Sequence, residues 1–561
     1  MRAFASPVKR APAGNGPAVA TDQGARKASH EEMPMNDDSS SLWAPLRFPS
    51  FRWLWLGALA MNLAIWMQNV GAAWLMVSLT TSPMLVALVQ TAISLPSFFF
   101  GLPGGVFADI FNRRRYLLVT HAGMLLASIT LVGVCATGVV GPLALLALTF
   151  AFGIGFALQG PAWYTTQAES VPRAFMASAM ALSSVSYSAA RAVGPALAGG
   201  VVAVSGVASV FIGCTVLLCG SLLVVACMRR PADGSTLPVE TLWSGLRSAL
   251  RYARHSPVIR GQCLRTLAFV GAASALWALL AVVARDSGGA GGYGLLLGSI
   301  GAGTMFGALI LPVLRARLEL NRMIAGACVV YALGMFVVAQ SNLAALQCFA
   351  LFVAGIGWMC IGTSNLVAIQ SAVPPWIRAR SVAIYMLVFQ GALAIGGAAW
   401  GAVASHLGTR AALMLAAAVT LLSLWVMQRY QARLGEESEV TPSTGELPLF
   451  SFAHLEPSEG PVAVQIAYQV RPEDREEFLR RIQVMGTQRR RDGAGFWRVY
   501  RELERPAWYM ERFIVDSWSD YLRHQARATI ADREAEARVR DLHCGEGPPT
   551  VSHYISEGAA S

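Results

Sequence analysis

Few side chains in this sequence could do chemistry, and they stand in unusual surroundings. Arg191 is the one charged residue between Arg173 and Arg229, in the run Arg191-Ala192-Val193-Gly194-Pro195-Ala196-Leu197-Ala198-Gly199-Gly200. Asn62, Gln68, Gln90, Gln159, Asn365 and Gln390 interrupt other long apolar stretches, and His121 follows the basic cluster Arg113–Arg115. A charge or free amide in an apolar run is costly, so it marks a ligand or ion path by default. Arg191 reads two ways: it binds an anionic or catecholic group, or it pairs with backbone carbonyls. The amides also read two ways, as the lining of a wet cavity or as ties between helices. Asn62 and Gln68 are six positions apart and point in separate directions on a helix, so both cannot be central. With Trp66 and Trp74 nearby, such a lining suits an amphipathic, hydrogen-bonding organic molecule better than a simple ion. No carboxylate stands mid-run, so no proton-coupling group is apparent.

The background explains the contrast. Of 561 residues, 55% are apolar and 14% charged, against roughly 25% charged in an ordinary soluble domain. Between Phe51 and Tyr430 the acidic residues are Asp109, Glu169, Asp233, Glu240, Asp286 and Glu319 alone. The net charge of +11 does not describe a nucleic-acid groove, because 16 arginines are balanced by 15 acidic residues from Pro461 to Ser556. The surplus sits in the N-terminal tail and in short loops, as expected of loops facing anionic lipid. Eight of the nine cysteines lie in apolar runs without CxxC or Cys/His spacing, so no disulfide, metal or cofactor is expected.

A spanning helix needs about 20 apolar residues. Such segments lie near 53–79, 84–108, 116–137, 142–168, 175–204 and 207–228, then near 258–284, 292–314, 322–340, 343–370, 381–405 and 410–430. Arginines crowd alternate loops, which predicts a multi-pass protein of the bacterial inner membrane with both termini in the cytoplasm. The expected organisation is a disordered tail (1–45), a six-helix bundle (46–230), a cytoplasmic linker (231–257), a second six-helix bundle (258–433), another linker (434–460) and a small domain (461–556). Within the first linker, residues 242–254 form an amphipathic pattern suited to the inner leaflet.

Sliding the chain by 202 residues produces a gapless run of identities. Gly101 and Gly105 meet Gly303 and Gly307, and Arg113 and Arg115 meet Arg315 and Arg317. Gly153 and Gly155 meet Gly355 and Gly357, and Gly194 and Gly199 meet Gly396 and Gly401. Two parallel repeats of six helices are the arrangement of a carrier that rocks two bundles about a central site. These residues resemble the major facilitator superfamily, and within it exporters similar to enterobactin efflux proteins, the transmembrane secretion effectors. The stretch Gly105 to Arg115 resembles that family's G-x-x-x-D-x-x-G-R-R loop. The resemblance implies that Gly105, Asp109, Arg113 and Arg114 form a cytoplasmic gate, with Asp109 and Arg113 in a charge relay. Asn112 replaces the second glycine at a tight turn, where its tolerance of left-handed geometry is expected to serve, and Leu311 replaces Asp109 in the second half. Gly194, Pro195, Gly199 and Gly200, behind Arg191, resemble the G-P-x-x-G-G antiporter motif with one extra residue, which implies export and proton coupling.

The last segment alternates as strand, helix, strand, strand, helices and strand, the ferredoxin-like order. It resembles the antibiotic-biosynthesis monooxygenase group, whose members pair as dimers and, where cofactor-independent, use Asn with Trp. Trp497, Trp508 and Trp518 are present but the segment has no Asn, so a regulatory or dimerising module is expected in place of an enzyme. The whole chain is predicted to be an all-α polytopic protein of twelve spans plus this α+β domain, exporting a siderophore-like or drug-like molecule. Import of a nutrient, or a membrane-tethered monooxygenase, are the alternatives.

Overall fold

The computed structural model describes residues 43–228, 251–441, 443, 456 and 458–556. Most of the N-terminal tail, and the amphipathic stretch apart from residues 251–254, lie outside them. The first half comprises α1 (Pro49–Leu79), α2 (Pro83–Ile110), α3 (Arg113–Ala136), α4 (Pro142–Glu169), α5 (Met176–Ser205) and α6 (Val207–Cys227). The second comprises α7 (Pro257–Ser287), α8 (Gly289–Arg317), α9 (Leu320–Gln340), α10 (Ala344–Ser371), α11 (Pro375–Leu407) and α12 (Thr409–Arg429). Eleven of these are long and apolar enough to cross a membrane. The twelfth, α1, is just as long but carries Asn62, Gln68 and Asn69. Five helices start on a proline, at Pro49, Pro83, Pro142, Pro257 and Pro375. There the missing N–H costs nothing and the fixed φ favours the first turn. This rule starts α11 at Pro375, six residues before the expected 381, because Arg378 and Arg380 break the apolar run but not the helix.

The duplication is visible in three dimensions. α10 repeats α4, and α12 repeats α6, residue for residue at the 202 offset that takes Pro142 to Ala344 and Val207 to Thr409. In each half the same pairs of helices pack together: first with fifth and sixth, second with fourth, and third with fourth and sixth. Paired glycines make these contacts close. A Cβ on Gly153 would lie 2.9 Å from Pro96 of α2, and one on Gly355 would run into α8 at Ile300. Backbone approach of this kind is what binds helices in lipid, where apolar burial gives no advantage over the acyl chains.

The halves meet along α5 with α8 and α2 with α11. A Cβ on Gly199 would lie 2.6 Å from the Cα of Gly294, and one on its repeat mate Gly401 would lie 2.5 Å from the Cβ of Ala87. Both contacts lie near the face where α5 ends and α8 begins. Toward the other face, where α1 begins and α12 ends, a Cβ on Gly101 or Gly362 would meet nothing within 4 Å. We call that second side the terminal face. The halves are therefore in close contact from the opposite face to mid-membrane, where a Cβ on Gly301 would lie 2.5 Å from the Cα of Ala192.

After α12 a four-stranded sheet is built from β1 (Val462–Gln469), β2 (Phe496–Arg501), β3 (Trp508–Val515) and β4 (Thr550–Ile555). Its order is β2-β3-β1-β4 and every pairing is antiparallel. The connecting helices α13 (Arg475–Asp492), α14 (Trp518–Ala526) and α15 (Ile530–Arg540) complete the ferredoxin-like order. Val462, Val464, Ile466 and Tyr468 alternate into a core with Phe478, Ile482 and Phe513.

Gly199→Val should wedge α5 from α8 and unseal the opposite face. The expected outcome is a several-fold rise in modification of Ala73→Cys, behind that seal, by an impermeant thiol reagent applied from the opposite face; unchanged reactivity contradicts the assignment of the seal.

Candidate functional site

Arg191 lies on α5 one turn before Pro195, between the halves. Its guanidinium sits 5.6 Å from the ring centre of Trp66 on α1 and 5.2 Å from that of Trp277 on α7. One tryptophan comes from each half, and their rings are 6.3 Å apart. Trp277 packs on Trp358 of α10 at 5.4 Å, and Trp358 on Tyr331 at 5.7 Å and Phe389 at 5.9 Å. The Tyr331 hydroxyl donates to the carbonyl of Ala273 at 3.1 Å. Among the described residues no carboxylate lies within ion-pair distance of Arg191, and its buried Nε has no hydrogen-bond partner. A desolvated cation–π contact contributes about 2 kcal/mol, whereas desolvating an ion costs several kcal/mol. Two tryptophans hold the guanidinium without fully compensating its charge.

Arg191 opens on a cavity of about 180 Å³ lined also by Trp358, Met359, Gly362, Thr363, Leu366, Tyr385, Met386 and Phe389. Gly362, Thr363 and Leu366 lie on α10 toward the terminal face. On the other side of Trp66 and Trp277 only about 30 Å³ remains, lined by Asn69, Gln90 and Tyr293 among others. The paired tryptophans thus form the floor of the larger cavity, a vestibule on their terminal side.

The amides divide. Gln90 lines the small sealed cavity and donates to Ser94 at 3.0 Å. Asn62, Gln68, Gln159, Asn365 and Gln390 line neither of these two cavities. Gln159 is fully buried and donates to the sulfur of Met61 at 2.8 Å, so it ties α4 to α1. Gln68 and Asn365 are 2% exposed, each with a side-chain oxygen lacking a partner among the described residues. His121 is wholly buried, its Nδ1 2.9 Å from the carbonyl of Leu117 and its ring stacked on Trp163 at 5.3 Å. It belongs to the interior of the first half, not to the interface. Sequence reasoning does not single out Trp277, Trp358, Tyr385 or Phe389, although each is an aromatic in a second-half span facing a lone arginine.

At the gate motif, a Cβ on Gly105 would lie an ordinary 3.9 Å from Pro161 of α4, and the side chain of Asp109 lies outside the described residues. Arg113 forms an ion pair with Glu169 at the end of α4, and Arg114 donates to the carbonyl of Ala226 on α6. Asn112 corrects the tight-turn expectation. Its φ is −56°, and its side chain accepts from the Arg115 amide at 3.2 Å, so it caps α3. Of the helix 5 motif, Gly194 sits against Trp66, whose Cβ would be 2.8 Å from an added Cβ, and Gly199 makes the seal, but Gly200 meets nothing within 4 Å.

The family profile described as "Transmembrane secretion effector" matches residues 40–561. The chain belongs to that family. It is a transporter of the major facilitator type. No curated protein matches it. Among solved structures, the nucleoside transporter NupG aligns with a TM-score of 0.55 at 14% identity, over 68% of this chain and 100% of that one. A bacterial homologue of the human lysosomal transporter Spinster, inward-facing and occupied, gives 0.55 at 13% identity, over 70% and 98%. A POT family transporter in complex with a thioalcohol-conjugated peptide gives 0.56 at 12% identity, over 69% and 97%. At such identities the likeness concerns the fold.

The secretion effector's tail domain buries a second charged cluster. Glu511, fully buried on β3, accepts from Trp497 Nε1 at 2.9 Å, Tyr468 at 3.3 Å and Arg489 at 3.4 Å. Glu536 pairs with Arg540 at 2.7 Å and Arg533 at 3.1 Å. Burial opposes ionisation of Glu536, but Arg489, Arg540 and Arg533 outweigh it and hold the carboxyl below its ordinary range. The tryptophans expected of a monooxygenase are engaged in packing: Trp497 holds Glu511, Trp508 lies under Arg505 at 5.1 Å and Trp518 stacks on Tyr521 at 5.2 Å. Among the described residues no cluster of His, Cys, Asp and Glu could hold a metal. His524 is 3% exposed, with neither ring nitrogen bonded among the described residues. Burial first, and then Arg489, Arg527, Arg491 and Arg533, keep it neutral far below pH 6.5.

A histidine neutral in the folded state but titrating near 6.5 when unfolded makes the unfolded state bind the extra proton. Stability is therefore complete above that pH and lost as pH falls through it. Hydrogen exchange of β1 and β3 in the full chain, normalised to intrinsic rates, should accelerate from pH 7 to 5, and His524→Phe should flatten that dependence.

Proposed function

We propose that this transporter exports a small organic molecule, siderophore-like or drug-like and bearing an anionic or catecholic group, across the bacterial inner membrane by alternating access. The arginine-rich alternate loops favour cytoplasmic chain ends, and on that reading the terminal face is the cytoplasmic one and the vestibule loads from inside the cell. The observation that carries this reading is Arg191, a cation without a carboxylate partner among the described residues, clamped by one tryptophan from each half at the base of that vestibule. A ligand oxygen bonded to the guanidinium would supply the missing countercharge, and the rings of Trp358, Tyr385 and Phe389 would cover its apolar body. Because Trp66 and Trp277 belong to different halves, an anion that draws Arg191 toward it changes the contact between the halves. Differential contact of this kind allows a substrate to shift a conformational equilibrium.

The gate is assigned to Gly105, Asp109, Arg113 and Arg114. In the present state Arg113 is held by Glu169 within the first half, which leaves the terminal face free to stand open. Proton antiport is proposed from the family resemblance and not from a mid-membrane carboxylate. The tail domain is assigned a regulatory or dimerising role, with exposed Tyr500 and Tyr554 on the sheet presenting aromatic surface to a second copy.

Uptake into inverted membrane vesicles, with and without an imposed pH gradient, tests the reading. A charge-assisted hydrogen bond contributes about 1.5–3 kcal/mol, roughly 10- to 150-fold in affinity. Arg191→Ala should therefore raise the half-saturating concentration of an anionic substrate by at least about tenfold, with Arg191→Lys intermediate. An Arg191→Ala protein that still transports anions at unchanged affinity, or loss of transport only from right-side-out vesicles, would sink the proposal.

A further inference from the structure

The tail domain is seated on the membrane bundle. Its Arg527 guanidinium lies 4.3 Å from the ring centre of Trp376 in the first turn of α11. Arg491 lies 5.7 Å from the ring of Tyr252, which meets Trp376 edge-on at 5.5 Å. Tyr252 and Trp376 pack with Ile259, Val373 and Ile377 at the terminal end of the second half. The two arginines are fixed from behind. Arg491 is bracketed by Asp492 at 2.8 Å and Asp532 at 2.6 Å, and Arg527 donates to the carbonyl of Asp492 at 3.3 Å. The connection after α12 shortens the tether, since Ser443 donates to Ala528 at 2.9 Å and Ile530 to Thr441 at 3.1 Å. Every one of these contacts is with the second half or its lead-in.

The packing of the halves makes this position significant. α2 and α11 are neighbours across the interface, and near the opposite face they touch. Thr91 donates to the Ala394 carbonyl at 2.8 Å, and Gly401 lies against Ala87. The contact continues to mid-membrane, where a Cβ on Gly391 would lie 2.8 Å from the Phe98 ring, and beyond it Gly101 of α2 meets nothing within 4 Å. If the halves rock about the Trp66–Trp277 floor, sealing the terminal face must bring the end of α2, Gly105 to Ile110, toward the start of α11. The tail domain already occupies that start.

We propose that the C-terminal domain is an autoinhibitory wedge: docked through Arg527 and Arg491 on Trp376 and Tyr252, it holds the transporter open to the terminal face. The proposal rests on the alternating-access reading. Release of the domain lets α2 reach α11 and lets the cycle proceed. A cation–π contact at a partly exposed site is weak, about 0.5–1 kcal/mol, so the docking is reversible and suited to control.

The test measures the distance across the terminal mouth by electron–electron resonance between spin labels on Phe111→Cys and Leu318→Cys. Both positions are exposed, and the exposed Cys227 and Cys544 are first replaced by serine. The otherwise unaltered full chain in lipid nanodiscs should give one long distance. R527E, wholly within the tail domain, should add a shorter-distance population, and W376L should do the same from the bundle side. A distribution unchanged in R527E overturns the proposal, as does a change confined to W376L, which would place the effect in bundle packing. R527E combined with G199V separates the two levels. A short distance in that double variant but not in R527E alone removes the wedge and leaves alternating access standing, whereas no short distance in either refutes the rocking itself.

Discussion

Everything in this molecule depends on how closely helix backbones can approach in a medium that gives apolar side chains no reason to associate. Lipid is as oily as leucine, so packing is decided by small residues that allow direct backbone contact. Gly199 against Gly294, Gly301 against Ala192 and Gly401 against Ala87 are places where this approach joins the halves, from the opposite face to mid-membrane. The cavity lies beyond them on the terminal side, with Arg191 at its base.

Arg191 then has a consequence beyond its own contacts. A guanidinium between two tryptophans is tolerated, but its electrostatic demand is only partly met. Because the tryptophans come from opposite halves, the charge is a shared element of the interface; on the reading proposed above, a ligand that binds it would alter the balance between the two faces. The tail domain's buried charges differ in kind. Glu511 and Glu536 each have arginine partners in place, so that cluster holds a fold together, whereas Arg191 has no carboxylate partner among the described residues.

Much of this was legible in the amino-acid sequence for physical reasons. The bilayer imposes span length, and duplication imposes the 202-residue register that α4 and α10 obey residue for residue. Alternation of Val462, Val464, Ile466 and Tyr468 exposed β1 at once, because one sheet face is buried. Arg191 was legible because a charge in lipid is expensive. The amides were not, since Gln159 bonding the sulfur of Met61 and a glutamine facing a cavity look identical in one dimension. Nor was the aromatic shell, because Trp277 and Trp358 lie far along the chain from Arg191. Asn112 illustrates the ambiguity of a turn residue: the same side chain serves left-handed geometry or a helix cap, and only the backbone decides.

The central claim is that the floor of the vestibule communicates with one face at a time, and in this state with the face that carries both chain ends. Thr363, which lines the cavity with Arg191, reports on it directly. In sealed vesicles of each orientation, Thr363→Cys should react with an impermeant maleimide far faster when the reagent meets the terminal face. Equal reaction from both faces, or reaction from the opposite face alone, would contradict the account.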